Sequence, residues 1–226
     1  MFIAAWFLPL MLAPFIGSFL GVLIVRLPTR TAVVMARSAC PKCGHRLGIT
    51  DLIPVLSFLL LRGRCRYCRQ PIALYHPTVE LAAVGVVLWA WWSDPDATDV
   101  WLSCALGWTL LALAWIDWTE FQLPDVLTLP LLLIGLTLTS VRQPQALTDH
   151  CLAAAFGYLS FQGLALGYRR LRGHDGLGGG DAKLIASAGA WCGLAALPLV
   201  VLGSAMLGLL LAFGLALAGR TVRSRT

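Results

Sequence analysis

The sequence predicts an all-α polytopic membrane protein of about seven transmembrane helices with a small cytoplasmic four-cysteine zinc-knuckle loop. Three observations carry that expectation. Hydrophobic residues make up 58% of the 226 positions and charged residues only 12%, whereas soluble domains carry about 25% charged residues. Apolar runs near the span length of about 17–25 residues recur around 4–25, 77–93, 100–116, 124–140, 151–168, 182–196 and 198–219. Basic residues crowd into alternate connections between those runs.

The first run has no basic residue before it, and Arg26 and Arg30 follow closely. A secretory signal has its charge first, so residues 1–26 read as an uncleaved first helix with its N-terminus outside. Residues 27–76 form the cysteine loop. With alternating crossings, this loop, the 169–183 connection and the basic tail at 220–226 all face the cytoplasm. Sixteen of the seventeen Lys and Arg residues, counting Arg26 at the loop's edge, then lie inside, with Arg142 the exception. That is the positive-inside pattern. The outer segment 93–99 holds Asp94, Asp96 and Asp99 and no base. The net charge of +6 therefore reads as topology and contact with membrane lipid, and nucleic acid is excluded as a partner. Residues 77–219 make up the membrane domain. Its weakest span is 182–196, which is short, contains Gly193 and is followed by Pro198.

Four of the seven cysteines form two pairs, Cys40-Pro41-Lys42-Cys43 and Cys65-Arg66-Tyr67-Cys68, separated by 21 residues. Paired C-x2-C motifs at about this distance read as a four-thiolate zinc site. Two disulfides are the alternative, and a reducing cytoplasm disfavours them. Four sulfurs leave no open position, so the metal is expected to be structural. His45 then reads as a hydrogen-bonded loop residue. Between the pairs, 51–61 is too short to span and is interrupted by Pro54. It is expected along the membrane surface or beneath the knuckle. Cys104, Cys151 and Cys192 fall within spans and read as small packing residues.

An acid at the membrane edge is costly and therefore suspect. Glu80, Asp117, Asp125 and Asp181 sit at the inner ends of spans, whereas Asp149 reads as a water-facing residue of an outer loop. Asp181 follows Gly178, Gly179 and Gly180, which permit backbone angles closed to other residues and close approach by another chain. A helix N-cap is the bland reading of Asp181. Asp117 ends the apolar run 110–116, where a helix C-terminus disfavours negative charge. Asp125 follows Pro124 and reads as an N-cap. Glu80 is expected to pair with a base of the cysteine loop. Two neighbouring carboxylates share a proton, so one can accept a proton from water while the other protonates a substrate carbonyl. Asp117 and Asp181 are the candidate pair.

The ordered motifs resemble the type IV prepilin peptidases. They are Cys40-Pro41-Lys42-Cys43-Gly44-His45, Ile53-Pro54 with Ser57, Leu61-Arg62-Gly63 before Cys65, and Tyr75, Pro77 and Glu80. Further on come Ile116-Asp117, Leu123-Pro124-Asp125, and Gly178-Gly179-Gly180-Asp181 with Lys183-Leu184. The last is similar to the Gly-x-Gly-Asp signature of membrane aspartic proteases. The resemblance implies a bifunctional enzyme of the bacterial inner membrane. It would cleave the leader of type IV prepilins or type II secretion pseudopilins after a glycine, at the cytoplasmic face. It would then methylate the new N-terminus with S-adenosylmethionine. It implies catalytic roles for Asp117 and Asp181 and a zinc-bearing cysteine loop; Gly178, Gly179 and Gly180 would give the substrate room. No segment reads as a nucleotide-binding fold, so residues binding S-adenosylmethionine are not assigned. A peptidase without methylation is one alternative. A non-enzymatic scaffold or transporter whose acids bind cations is another, but such a transporter should carry mid-span acids or internal repeats.

Overall fold

A computed structural model describes residues 2–33, 37–93, 96–173 and 178–218. The basic tail 220–226, Asp94, and residues 174–177 ahead of Asp181 lie outside the described residues. Among the described residues seven α-helical elements follow one another: α1 (Phe2–Arg26), α2 (Leu56–Leu60), α3 (Tyr75–Ser93), α4 (Ala97–Glu120), α5 (Asp125–Arg142), α6 (Leu147–Arg172) and α7 (Gly179–Leu217). There is no strand among the described residues; only isolated bridges occur, Ala39 with Arg46 and Arg64 with Pro71. The all-α expectation holds.

The seven-span count is not confirmed. Among the described residues five segments are long and apolar enough to cross a membrane: Phe7–Arg26, Thr98–Glu120, Asp125–Arg142, Pro144–Arg172 and Gly179–Leu217. α3 is not among them, and its first two turns carry Tyr75, His76, Thr78 and Glu80. The runs expected at 182–196 and 198–219 follow each other within α7 as two helical parts that meet at a kink, where Gly193 takes φ 72° and ψ 178°. A straight helix of 39 residues would run about 58 Å, against a hydrocarbon layer of about 30 Å. The interruption divides it into shorter rods.

The chain divides into two compact units, Met1–Pro124 and Asp125–Thr226. In the first, buried residues recur at helical spacing: Val79, Ala83, Val87 and Ala90 on α3, and Val100, Cys104, Ala112 and Ile116 on α4. Contact is close where Gly17 of α1 meets α3, since a Cβ there would lie 2.6 Å from the Glu80 Cα. Tyr75 Oη donates to the Gly21 carbonyl at 2.7 Å, and Trp108 Nε1 to the Ala83 carbonyl at 3.0 Å. Such bonds join α1, α3 and α4 where lipid offers none.

In the second unit, small residues bring the helices together, as membrane packing favours. A Cβ on Gly189 would lie 2.6 Å from the Ala153 carbonyl carbon, and one on Gly135 2.7 Å from the Trp191 ring. Past the interruption, α7 exposes Leu199, Leu202, Leu207, Leu210 and Phe213. In a bilayer that apolar surface faces lipid tails.

Candidate metal centre and membrane acids

The cysteine loop builds its centre from two similar knuckles. In the first, Cys40 N–H donates to the His45 carbonyl and Gly44 N–H to the Cys40 carbonyl, each at 2.9 Å. In the second, Cys65 N–H donates to the Gln70 carbonyl at 2.8 Å and Arg69 N–H to the Cys65 carbonyl at 2.9 Å. The residue after each pair has a left-handed backbone, Gly44 at φ 69° and Arg69 at φ 59°. That turn lets both sulfurs of a pair face one point. The four sulfurs of Cys40, Cys43, Cys65 and Cys68 lie within 4.8 Å of one another, and those of Cys40 and Cys68 are 3.8 Å apart. Tetrahedral zinc with about 2.3 Å bonds needs sulfurs about 3.8 Å apart, so the set fits the ion.

Backbone N–H groups of Cys43 and Lys42 bring the Cys40 thiol down to about 6. The Gln70 N–H pulls Cys68 the same way, yet burial and the neighbouring thiols hold it up at about 11. Side chains join the knuckles. His45 stacks on Tyr67 with centroids 3.5 Å apart, so its ring packs across the knuckles. Asp51 pairs with Arg66 Nε at 3.0 Å and accepts the Gly48 N–H at 3.1 Å.

The acids are placed by helix ends. Asp117 lies in the last turn of α4, and its carbonyl takes the N–H of Phe121, the left-handed cap at φ 53°. Its side chain is exposed. Asp181 is the third residue of α7, which begins at Gly179. Its carboxylate reaches back to accept the Gly178 backbone N–H, the acid half of a capping box. Asp117 belongs to the first unit and Asp181 to the second. Gly178 has φ −71°, and neither Gly179 nor Gly180 is left-handed, so forbidden angles are not what these glycines supply. A Cβ on Gly179 would meet nothing within 4 Å, which leaves open space at that point.

Two acids have partners other than those expected. Glu80 is buried, and its Oε2 accepts the Val55 N–H at 2.7 Å, with Ser18 also bonded to the carboxylate. It ties the segment before α2 to α3 through a backbone amide. Asp125 opens α5 but pairs with Lys183 Nζ at 2.5 Å.

Sequence reasoning missed Asp149. Its Oδ2 accepts the Leu194 N–H at 3.0 Å, capping the second part of α7. Beside it, His150 Nδ1 lies 2.9 Å from the Ala190 carbonyl. That carbonyl only accepts, so Nδ1 carries the hydrogen. Gly193 followed by Pro198 was the available signal for a broken helix, but nothing in sequence pointed to α6 as the source of its caps. Cys104 is buried as expected, whereas Cys151 and Cys192 are exposed on their helices.

A multi-pass helical membrane protein with a four-cysteine cluster on a loop and carboxylates at helix ends is the class that fold and site define. Residues 11–93 match the bacterial peptidase A24 N-terminal domain, and residues 104–213 match the type IV leader peptidase family. The chain is 38% identical to a prepilin leader peptidase/N-methyltransferase of Aeromonas hydrophila, covering 89% of this chain and 78% of the relative. The corresponding Pseudomonas aeruginosa protein is 36% identical with the same coverage. That of Burkholderia pseudomallei is 41% identical over 80% of this chain and 59% of the relative. The chain belongs to the type IV leader peptidase family. No solved structure matches it.

Proposed function

We propose that this chain is a prepilin leader peptidase and N-methyltransferase of the bacterial inner membrane, with Asp117 and Asp181 as its catalytic pair. Its family membership carries the reading. Helix ends suit a peptide bond entering from the interface, because carboxylates there reach water. One carboxylate, ionised, takes a proton from the attacking water; the other, protonated, donates to the scissile carbonyl oxygen. The substrates are type IV prepilins or type II secretion pseudopilins, cut after a glycine at the cytoplasmic face, and the open space at Gly179 supports peptide entry beside Asp181. The N-terminus lies outside, the cysteine loop inside, and residues 77–219 form the peptidase body.

The names of the relatives support a second step, in which a methyl group passes from S-adenosylmethionine to the newly freed amine. Cys40, Cys43, Cys65 and Cys68 would hold a structural zinc, which keeps the loop folded and takes no part in proton transfer. The test is cleavage of a prepilin by membranes carrying Asp117→Asn or Asp181→Asn. Each should cut at least about 100-fold more slowly, the usual scale for losing a general acid or base. Wild-type rates from either variant would end the assignment. The mass of the mature N-terminus reads methylation, and an unmodified amine would leave a peptidase alone.

A further inference from the structure

Three side chains on one stripe of α7 donate to α5. Lys183 Nζ meets Asp125 Oδ1 at 2.5 Å, Ser187 Oγ meets the Thr128 carbonyl at 3.1 Å, and Trp191 Nε1 meets the Leu131 carbonyl at 2.8 Å. The donors are four residues apart and the acceptors three, so each set shares a helix face. Rotating α7 by one residue, about 100°, would break every rung. This ladder sets both the rotation and the height of α7 against α5.

The rungs differ in surroundings. Ser187 and Thr128 are buried, but the Lys183 and Asp125 side chains are 33% and 53% exposed. An ion pair that open contributes little to stability. Its position is what distinguishes it, as the last rung before Asp181, two residues away. The turn it holds begins with Gly179 and Gly180, the poorest helix formers after proline. The rung ties that turn to α5 one helical turn ahead of Ser187.

We propose that Lys183 and Asp125 form a positioning pair that holds the first turn of α7, and with it Asp181, in the orientation that cleavage requires. The proposal rests on the catalytic reading of Asp181. The pair does not touch the reacting atoms; it acts through the helix that carries them. Small misplacements of a catalytic group cost up to about 100-fold in rate.

The experiment uses the full chain in proteoliposomes, a purified prepilin, and kcat, KM and melting temperature for each variant. Lys183→Met and Asp125→Ala should each lower kcat by about 10–100-fold, while KM and melting temperature stay near wild type. Lys183→Arg should retain most of kcat, and the swap Lys183→Asp with Asp125→Lys should recover part of what either single change loses. A pair serving stability alone would instead lower the melting temperature and leave kcat per folded enzyme intact. Wild-type kcat in Lys183→Met, or a swap no better than the single changes, overturns the proposal. Asp181→Asn is assayed alongside. If it is inactive while Lys183→Met is normal, only the positioning pair fails. If it cleaves normally, the catalytic reading fails and takes the pair with it.

Discussion

Replacing Gly193 with alanine attacks the interruption of α7 in two ways. At φ 72° and ψ 178° the residue occupies a region that is essentially closed to side chains and costs about 1–3 kcal/mol to occupy. The new Cβ would also lie 2.6 Å from Asp149 Oδ2 and 3.2 Å from His150 Nε2. Asp149 must then withdraw from the Leu194 N–H, and losing a helix cap costs typically about 1 kcal/mol. The two effects together give about 2–4 kcal/mol of destabilisation. Thermal denaturation in detergent, followed by tryptophan fluorescence, measures it. Gly203→Ala is the matched control, since a Cβ there meets nothing within 4 Å and alanine favours a helix by up to about 1 kcal/mol. The two substitutions should therefore have opposite signs. A Gly193→Ala protein as stable as Gly203→Ala would refute both the backbone and the capping arguments.

Other outcomes follow from the remaining contacts. Glu80→Ala removes the acceptor of the part-buried Val55 N–H; losing such a bond costs about 1 kcal/mol, so faster amide exchange at Val55 and earlier proteolysis of the 49–61 segment are expected. Cys40→Ser and Cys65→Ser should each lower bound zinc, measured by atomic absorption, while sparing cleavage more than either aspartate change, because the thiolates do no proton transfer. Zinc affinity should fall as pH falls, since protons compete for the sulfurs. Cys68, held up at about 11, releases a proton on binding at neutral pH, whereas Cys40, at about 6, is already ionised. Below about pH 6 Cys40 also holds a proton when metal-free, so the logarithm of affinity should steepen by one proton per pH unit there. An unchanged slope in competition titrations would contradict the low Cys40 value. Trp191→Phe should cost about 1 kcal/mol through loss of its bond to the Leu131 carbonyl, read in the same melting assay.

Much of this protein was legible in the chain because membrane solvation imposes a local rule. Apolar runs must become helices, as backbone groups in lipid need partners within their own segment. The helices therefore appear close to where the runs lie, and Cys40, Cys43, Cys65 and Cys68 converge as their spacing predicts. The Asp181 motif also marked a helix start, although the carboxylate reaches back from the third position instead of opening the helix. What tertiary structure alone decided is which side chain completes which backbone. Asp149 is exposed, as a water-facing acid should be, but it lies on α6 and caps Leu194; Glu80 takes a backbone amide instead of a basic side chain; Asp125 pairs with Lys183, 58 residues away. Those choices depend on how the helices of each unit lie side by side, which glycines such as Gly17, Gly135 and Gly189 permit by letting backbones touch. Hydropathy reads one segment at a time, and so it finds the helices but not their partners.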